Sequence, residues 1–277
     1  MRTLVALVIG AVLVIGACTA GPGATGAASG ATASFAADAT MGKIKAAGKL
    51  VCGTKFDVIG FGFRNPTNNQ VEGLDADICR EVAKAIGVEP EFVEAVSANR
   101  IPFLKEDKVD IVISTMTVTD ARKLEIDFSK VYYKAGQSIL TKTGSGIKAV
   151  ADLNGKKVCS GEGSTSEKNV RDKAPTAELL LFKTYTEAAQ ALIDGRCDAV
   201  STDDTILFGL AKNFPGTEVV GGQFTEEPLG IGIKKGKDDL VKFVDQTLDN
   251  IKASGRLKAL YETHVKTFTN VVPDIPF

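Results

Sequence analysis

The chain holds a single histidine, His264, among 277 residues. A histidine metal site or a Ser-His-Asp triad would have to be assembled around that one residue near the C-terminus, and no serine or cysteine elbow accompanies it. An excess of charge is missing too. The sequence sets 33 Lys+Arg against 34 Asp+Glu, and removal of residues 1–17 would take away only Arg2, leaving a net charge near −2. That balance gives no footing for a nucleic-acid surface or a polybasic membrane patch. Nor is there an apolar run long enough to span a bilayer. The stretch from Leu4 to Ile15 falls short of the roughly 20 residues a spanning helix needs.

What the N-terminus does have is Arg2, that apolar stretch, and then Val14-Ile15-Gly16-Ala17-Cys18, a secretion signal whose small residues end at a cysteine. It resembles the bacterial lipoprotein signal, which implies cleavage after residue 17 and acylation of Cys18. The product would be exported and lipid-anchored to the outer face of the cell membrane, or periplasmic. Residues 18–40 are almost wholly Ala, Gly, Ser and Thr. Such a segment cannot bury a core, and it is expected to be a flexible tether with a reach of roughly 25 Å. The folded part is expected from Met41, leaving about 235 residues, enough for one large or two modest domains.

Beyond the tether, strands and helices alternate. Gly48 to Thr54 reads as a buried strand, and Leu74, Ile78, Val82 and Ala85 recur at helical spacing before a stop at Gly87. A short helix from about Asn99 to Lys108 precedes a buried strand over Val109 to Ser114. The order then restarts with a strand over 156–160, helices over 166–173 and 186–194, and a strand over 197–201. Lys108 to Thr115 parallels Arg196 to Thr202, so each half places polar residues at the carboxyl end of a parallel strand, where open α/β sheets bind ligands. A later strand, Gly230 to Lys235, leads into a helix with Leu240, Phe243, Val244, Thr247, Leu248 and Ile251 on one face, a stripe that needs a sheet to cover. The simplest topology returns this strand to the first lobe, with crossovers near Gly136–Leu140 and Glu227–Gly230. Two such crossovers favour closure on a ligand held between lobes.

The run Ser114-Thr115-Met116-Thr117-Val118-Thr119-Asp120-Ala121-Arg122, with Asp203 some eighty positions later, supplies what a free α-amino acid needs. A guanidinium, hydroxyls and turn N–H groups can hold a carboxylate, and an aspartate can hold an ammonium. Taken alone, the same residues allow Thr119 to be a helix cap and Arg122 a solvated helical residue. Asp204 is open to the reading of a cap for the helix that follows.

With these motifs the chain resembles the extracytoplasmic solute-binding proteins of polar amino-acid ABC transporters over roughly Lys49 to Lys266. The resemblance rests on Glu72-Gly73-Leu74-Asp75-Ala76-Asp77-Ile78, the Val109–Arg122 segment, Asp127-Phe128-Ser129 with Tyr132-Tyr133, Asp152 to Lys156, Gly163 to Glu167, and Asp198 to Asp204. It implies a two-lobed α/β fold of the periplasmic-binding-protein type II kind, with residues 41–137 and 229–277 as lobe 1 and 138–228 as lobe 2. It implies one bound amino acid, a permease as partner, a monomer, no cofactor or metal, and no reaction. Thr115, Thr117 and Arg122 match the family's α-carboxylate site, Thr165 the second lobe's contribution to it, and Asp203 the α-ammonium ligand.

Lys55, and Ser97 with Arg100 in Ser97-Ala98-Asn99-Arg100-Ile101-Pro102, resemble the glutamate/aspartate-binding branch, where cations meet the ligand's distal carboxylate. Arg122, Arg100 and Lys55 facing Asp203 would make the pocket positive, suiting a net anion. Arg100 as a helix-start surface residue and Lys55 as a solvated strand-end lysine would leave glutamine or asparagine as ligand instead. A sensory receptor is a further alternative, as is an enzyme of the dehydratase kind on the same fold, using Glu162 or Asp203 as an acid. The four cysteines after Cys18 are expected to pair within lobes, Cys52 with Cys79 and Cys159 with Cys197, the alternative being four buried thiols.

Overall fold

The computed structural model describes residues 35–37 and 39–268. The expected signal, Cys18 and the tether as far as residue 34 lie outside the described residues.

After α1 (Thr40–Ala47) the chain forms β1 (Lys49–Thr54), then the short strands β2 (Asp57–Val58), β3 (Gly62–Arg64) and β4 (Val71–Glu72). Next come α2 (Leu74–Ile86), β5 (Glu89–Glu94), α3 (Arg100–Lys105), β6 (Ile111–Val112), α4 (Asp120–Lys123) and β7 (Ile126–Ala135). The following stretch holds β8 (Gln137–Lys142), β9 (Lys157–Gly161), α5 (Thr165–Lys173), β10 (Glu178–Phe182), α6 (Tyr185–Ile193), β11 (Ala199–Asp203), α7 (Asp204–Asn213) and β12 (Thr217–Val220). It closes with β13 (Glu227–Lys234), α8 (Asp238–Ala253) and α9 (Arg256–His264).

These strands build two five-stranded sheets, ordered β5-β1-β6-β13-β7 and β10-β9-β11-β8-β12. In the first, β1 runs parallel to β5 and β6, and β13 inserts antiparallel between β6 and β7. The second repeats the scheme, with β9 parallel to β10 and β11 and β8 antiparallel between β11 and β12. The chain passes between the sheets at Gly136 and returns between Val220 and Glu227, as the leftover strand and its helix required. Asp204 ties the two crossovers together: its N–H donates to Gly136 O at 2.8 Å, and its Oδ2 accepts Gln223 Nε2 at 2.8 Å. Asp204 is thus the first residue of α7 and a crossover clamp, whereas the cap position belongs to Asp203.

The core explains why these segments are helices and strands. Ile78, Val82 and Ile86 of α2 and Leu240, Val244 and Leu248 of α8 are buried together with Leu50, Ile111, Ile231 and Ile233 of the sheet. Each such side chain contributes roughly 1.5–3 kcal/mol. The α2 stripe runs through Ala83 and Ile86, and the expected Ala85 faces solvent. Gly87 ends that helix at φ 79°, a left-handed cap with its N–H on Ala83 O and Lys84 O. Phe243 is half-buried, and Phe35 covers part of it edge-on, ring centroids 5.5 Å apart. Among the described residues packing therefore starts at Phe35, inside the segment expected as tether.

Both disulfides form as expected from the placing of the cysteines. Cys52 on β1 bonds Cys79 on α2, and Cys159 on β9 bonds Cys197 just ahead of β11, with Cα–Cα separations of 6.5 and 6.0 Å. Neither links one sheet to the other.

Strand β6 is much shorter than the expected Val109–Ser114. Ile113 still donates to Gly53 O, but Thr115 adopts φ 42°, a left-handed conformation that ends the strand. The polar end of the segment thereby peels away from the sheet, and that departure builds the site.

Candidate functional site

The carboxyl ends of β1, β6, β9 and β11 face one another across a cleft, and each carries or leads into polar residues. On the first sheet's side, Lys55 follows β1 and is 1% exposed. Its Nζ donates to Ser97 Oγ at 3.0 Å. Burial lowers its pKa to about 8, with Asp57 opposing and Arg100 reinforcing the shift. Arg100, the first residue of α3, is 2% exposed. Its Nε donates to Ser97 O at 3.2 Å and its Nη1 to both Ser114 O and Thr115 O at 3.0 Å. The Nη2 amino group takes no part in those bonds. Three backbone carbonyls thus orient the guanidinium, and the segment that leaves β6 supplies two of them.

A second group lies beside the first. Arg122, in the single turn that Thr119 caps through its hydroxyl, donates Nη1 to Thr117 O at 2.7 Å and Nη2 to Gly163 O at 3.3 Å, a carbonyl in the turn after β9. Thr117 and Thr165 meet hydroxyl to hydroxyl at 3.2 Å, and Thr165 donates to Glu227 Oε2 at 2.9 Å. The lobes come close here: Gly163 has φ 71°, and a Cβ on it would lie 2.8 Å from Ala98 Cα. Thr115 Oγ1 is buried with no hydrogen-bond partner among the described residues. A buried hydroxyl left so is costly unless something else comes to it.

Asp203 closes the set at the end of β11. It holds the N-cap position of α7, yet its side chain makes no capping bond. Burial, then Glu227 and Asp204, raise its pKa well above the usual carboxylate range, while Arg100 and Lys55 pull it down. A carboxylate in that position gains from an incoming cation. All eight residues singled out in the sequence, Lys55, Ser97, Arg100, Thr115, Thr117, Arg122, Thr165 and Asp203, therefore converge on one cleft.

Four further side chains there were not assigned from the sequence. Tyr185, first residue of α6, packs against Gly161, where a Cβ would lie 3.0 Å from the ring, and carries Lys55 Nζ at 5.1 Å from its centroid. The Thr184/Glu187 capping box that starts its helix was the available signal. Asp57, Asp75 and Glu227 add three carboxylates. Their presence corrects the expectation of a positive pocket: three cations face four carboxylates, not one. Glu162, the alternative acid, is exposed. His264 pairs with Asp77 Oδ2 at 2.7 Å, and among the described residues no group of three His, Cys, Asp or Glu could hold a metal ion.

Residues 50–267 match the family of bacterial extracellular solute-binding proteins, family 3. The chain belongs to that family. It is 44% identical over 231 residues to the ABC transporter glutamine-binding protein GlnH of Bacillus subtilis (strain 168), covering 82% of this chain and 85% of the relative. Its identity to the glutamate-binding protein GluB of Corynebacterium glutamicum is 32%, over 77% of each chain. Among solved structures, the ancestral amino acid-binding protein AncCDT-1, described as a precursor of cyclohexadienyl dehydratase, superposes with a TM-score of 0.77 at 38% identity, over 82% of this chain and all of its own. The two sheets and two crossovers are thus a two-lobed α/β fold of the periplasmic-binding-protein kind. No helix among the described residues is long and apolar enough to cross a membrane.

Proposed function

We propose that this protein binds one L-glutamate or L-aspartate between its two sheets, without turnover, and hands it to an ABC-transporter permease. The observation that carries the ligand choice is the joining of Lys55 and Arg100, both buried, through Ser97. Two cations held side by side repel and lose hydration, and a carboxylate between them offsets both penalties. In this reading Arg122, Thr115, Thr117 and Thr165 take the α-carboxylate, and Asp203 takes the α-ammonium. Lys55, Ser97 and the Nη2 group of Arg100 take the distal carboxylate, and the Tyr185 ring packs on the ligand's stem. The chain would act as a monomer, exported and anchored through an acylated Cys18.

Glutamine is the second reading. It is favoured by Asp57, Asp75 and Glu227, which offset the cations, and by the ligand named for the Bacillus subtilis relative. Calorimetric titration of the mature protein against the twenty amino acids tests both. One-to-one binding of glutamate or aspartate at least tenfold tighter than glutamine supports the acidic assignment, and the reverse order overturns it.

A further inference from the structure

Asp75, the second residue of α2, is wholly buried, and both of its carboxylate oxygens are engaged. Oδ1 accepts the Tyr132 hydroxyl at 2.7 Å and Oδ2 accepts the Thr115 N–H at 2.8 Å. Neither partner carries charge, so they do not neutralise it. Burial raises its pKa to about 6, and Lys55 and Arg100 are the nearby cations that pull it back down. A buried carboxylate is retained where it has such partners and is expelled where it has not.

A continuous path of hydrogen bonds runs from Asp75 to both cations. The Ser114–Thr115 peptide gives its N–H to Asp75 and its C=O, that of Ser114, to Arg100 Nη1, which also reaches Thr115 O. Arg100 Nε then reaches Ser97 O, and Ser97 Oγ accepts Lys55 Nζ. Thr115 sits at φ 42°, a conformation that a β-branched residue adopts only when its surroundings impose it. The bond from its N–H to Asp75 is one such constraint, and it lies on the side of the peptide away from Arg100.

We propose that Asp75 is a positioning residue that sets ligand preference. It pins the Thr115 peptide that orients Arg100, and it offsets the Lys55–Arg100 pair. The far end of the cleft then discriminates carboxylate from carboxamide less steeply than two cations alone would. The proposal rests on the assignment of Lys55 and Arg100 to the ligand's distal group.

The test compares the intact mature protein with Asp75→Asn and Asp75→Ala, using L-glutamate and L-glutamine as probes in calorimetry, and follows hydrogen exchange at the Thr115 amide. Asn keeps an oxygen for that N–H and removes the charge. In Asp75→Asn the ratio of glutamine Kd to glutamate Kd should rise about fivefold or more, with Thr115 still protected. In Asp75→Ala the Thr115 amide should lose protection and both ligands should weaken about tenfold or more. A ratio in Asp75→Asn within about twofold of the unmutated protein's would overturn the proposal, leaving a purely structural residue. So would a shift toward glutamine. If the unmutated protein prefers glutamine, the acidic assignment falls and the change in ratio still decides the role of Asp75. Binding of neither probe overturns both.

Discussion

Across the cleft, the Tyr185 N–H donates to Asp57 Oδ2 at 2.7 Å. The acceptor is a carboxylate on β2 and the donor is the first N–H of α6, a helix end that favours negative charge. This bond exists only while the two sheets are close. Asp57→Ala should therefore speed ligand release about tenfold or more, since a hydrogen bond to a charged group contributes roughly 1.5–3 kcal/mol. Stopped-flow displacement measures it, and an unchanged off-rate would remove Asp57 from closure.

Arg122 and Arg100 should separate cleanly. Arg122→Ala is expected to weaken every amino-acid ligand, because all share the α-carboxylate, whereas Arg100→Ala should harm glutamate and aspartate far more than their amides. Removing one partner of a desolvated charge pair costs about 2–5 kcal/mol, or on the order of 30-fold to several-thousand-fold in affinity. Equal losses of glutamate and glutamine in Arg100→Ala would make Arg100 only a support for the Ser97 and Thr115 carbonyls.

Lys55 gives a pH dependence whose sign is fixed. Burial lowers its folded pKa to about 8 from the ordinary lysine value of 10.5. A bound distal carboxylate would raise it again, so glutamate affinity is full below pH 8 and falls as pH rises through 8. Stability runs the other way: between about pH 8 and 10.5 the unfolded chain binds more protons, so the ligand-free fold gains stability as pH rises. Titrations at pH 7 and 9.5 with glutamate and glutamine check the first point. Lys55→Met should abolish both dependences, and a glutamate affinity flat across this range would exclude Lys55 from the distal contact.

The two disulfides close loops of 27 and 38 residues. On chain-entropy grounds each is worth about 3.5–4 kcal/mol. Reduction should lower Tm sharply and leave ligand affinity almost unchanged, because neither bridge joins the two sheets. A reduced protein that stays folded yet binds glutamate tenfold more weakly would contradict that division.

Much of this was legible in the sequence because it is local. The 3.6-residue stripe of α8, the Gly87 stop and the polar ends of β6 and β11 are set by neighbours a few residues apart. The meeting of the eight candidate residues was legible because the family's motifs carry them. Asp57, Asp75 and Glu227 were not. Their partners, Tyr185, Thr115 and Thr165, are 128, 40 and 62 positions away, and only the folded chain shows which cation each acid faces. The truncation of β6 escaped for a related reason. Val109 to Ser114 has the composition of a strand, but the left-handed turn at Thr115 is imposed from outside the segment.

Asp203 and Asp204 are consecutive, and the second grips both crossovers while the first looks into the cleft. A body turning about an axis moves least beside it, so Asp203 stays almost where it is however far the two sheets part. Tyr185 sits at the other end of the lever arm. It follows β10, the edge strand, with β9 between that strand and β11. A single bond at Tyr185 therefore resists opening with more torque than an equal bond at Asp203, and a ligand can settle against a nearly stationary Asp203 before the far side swings in to hold it.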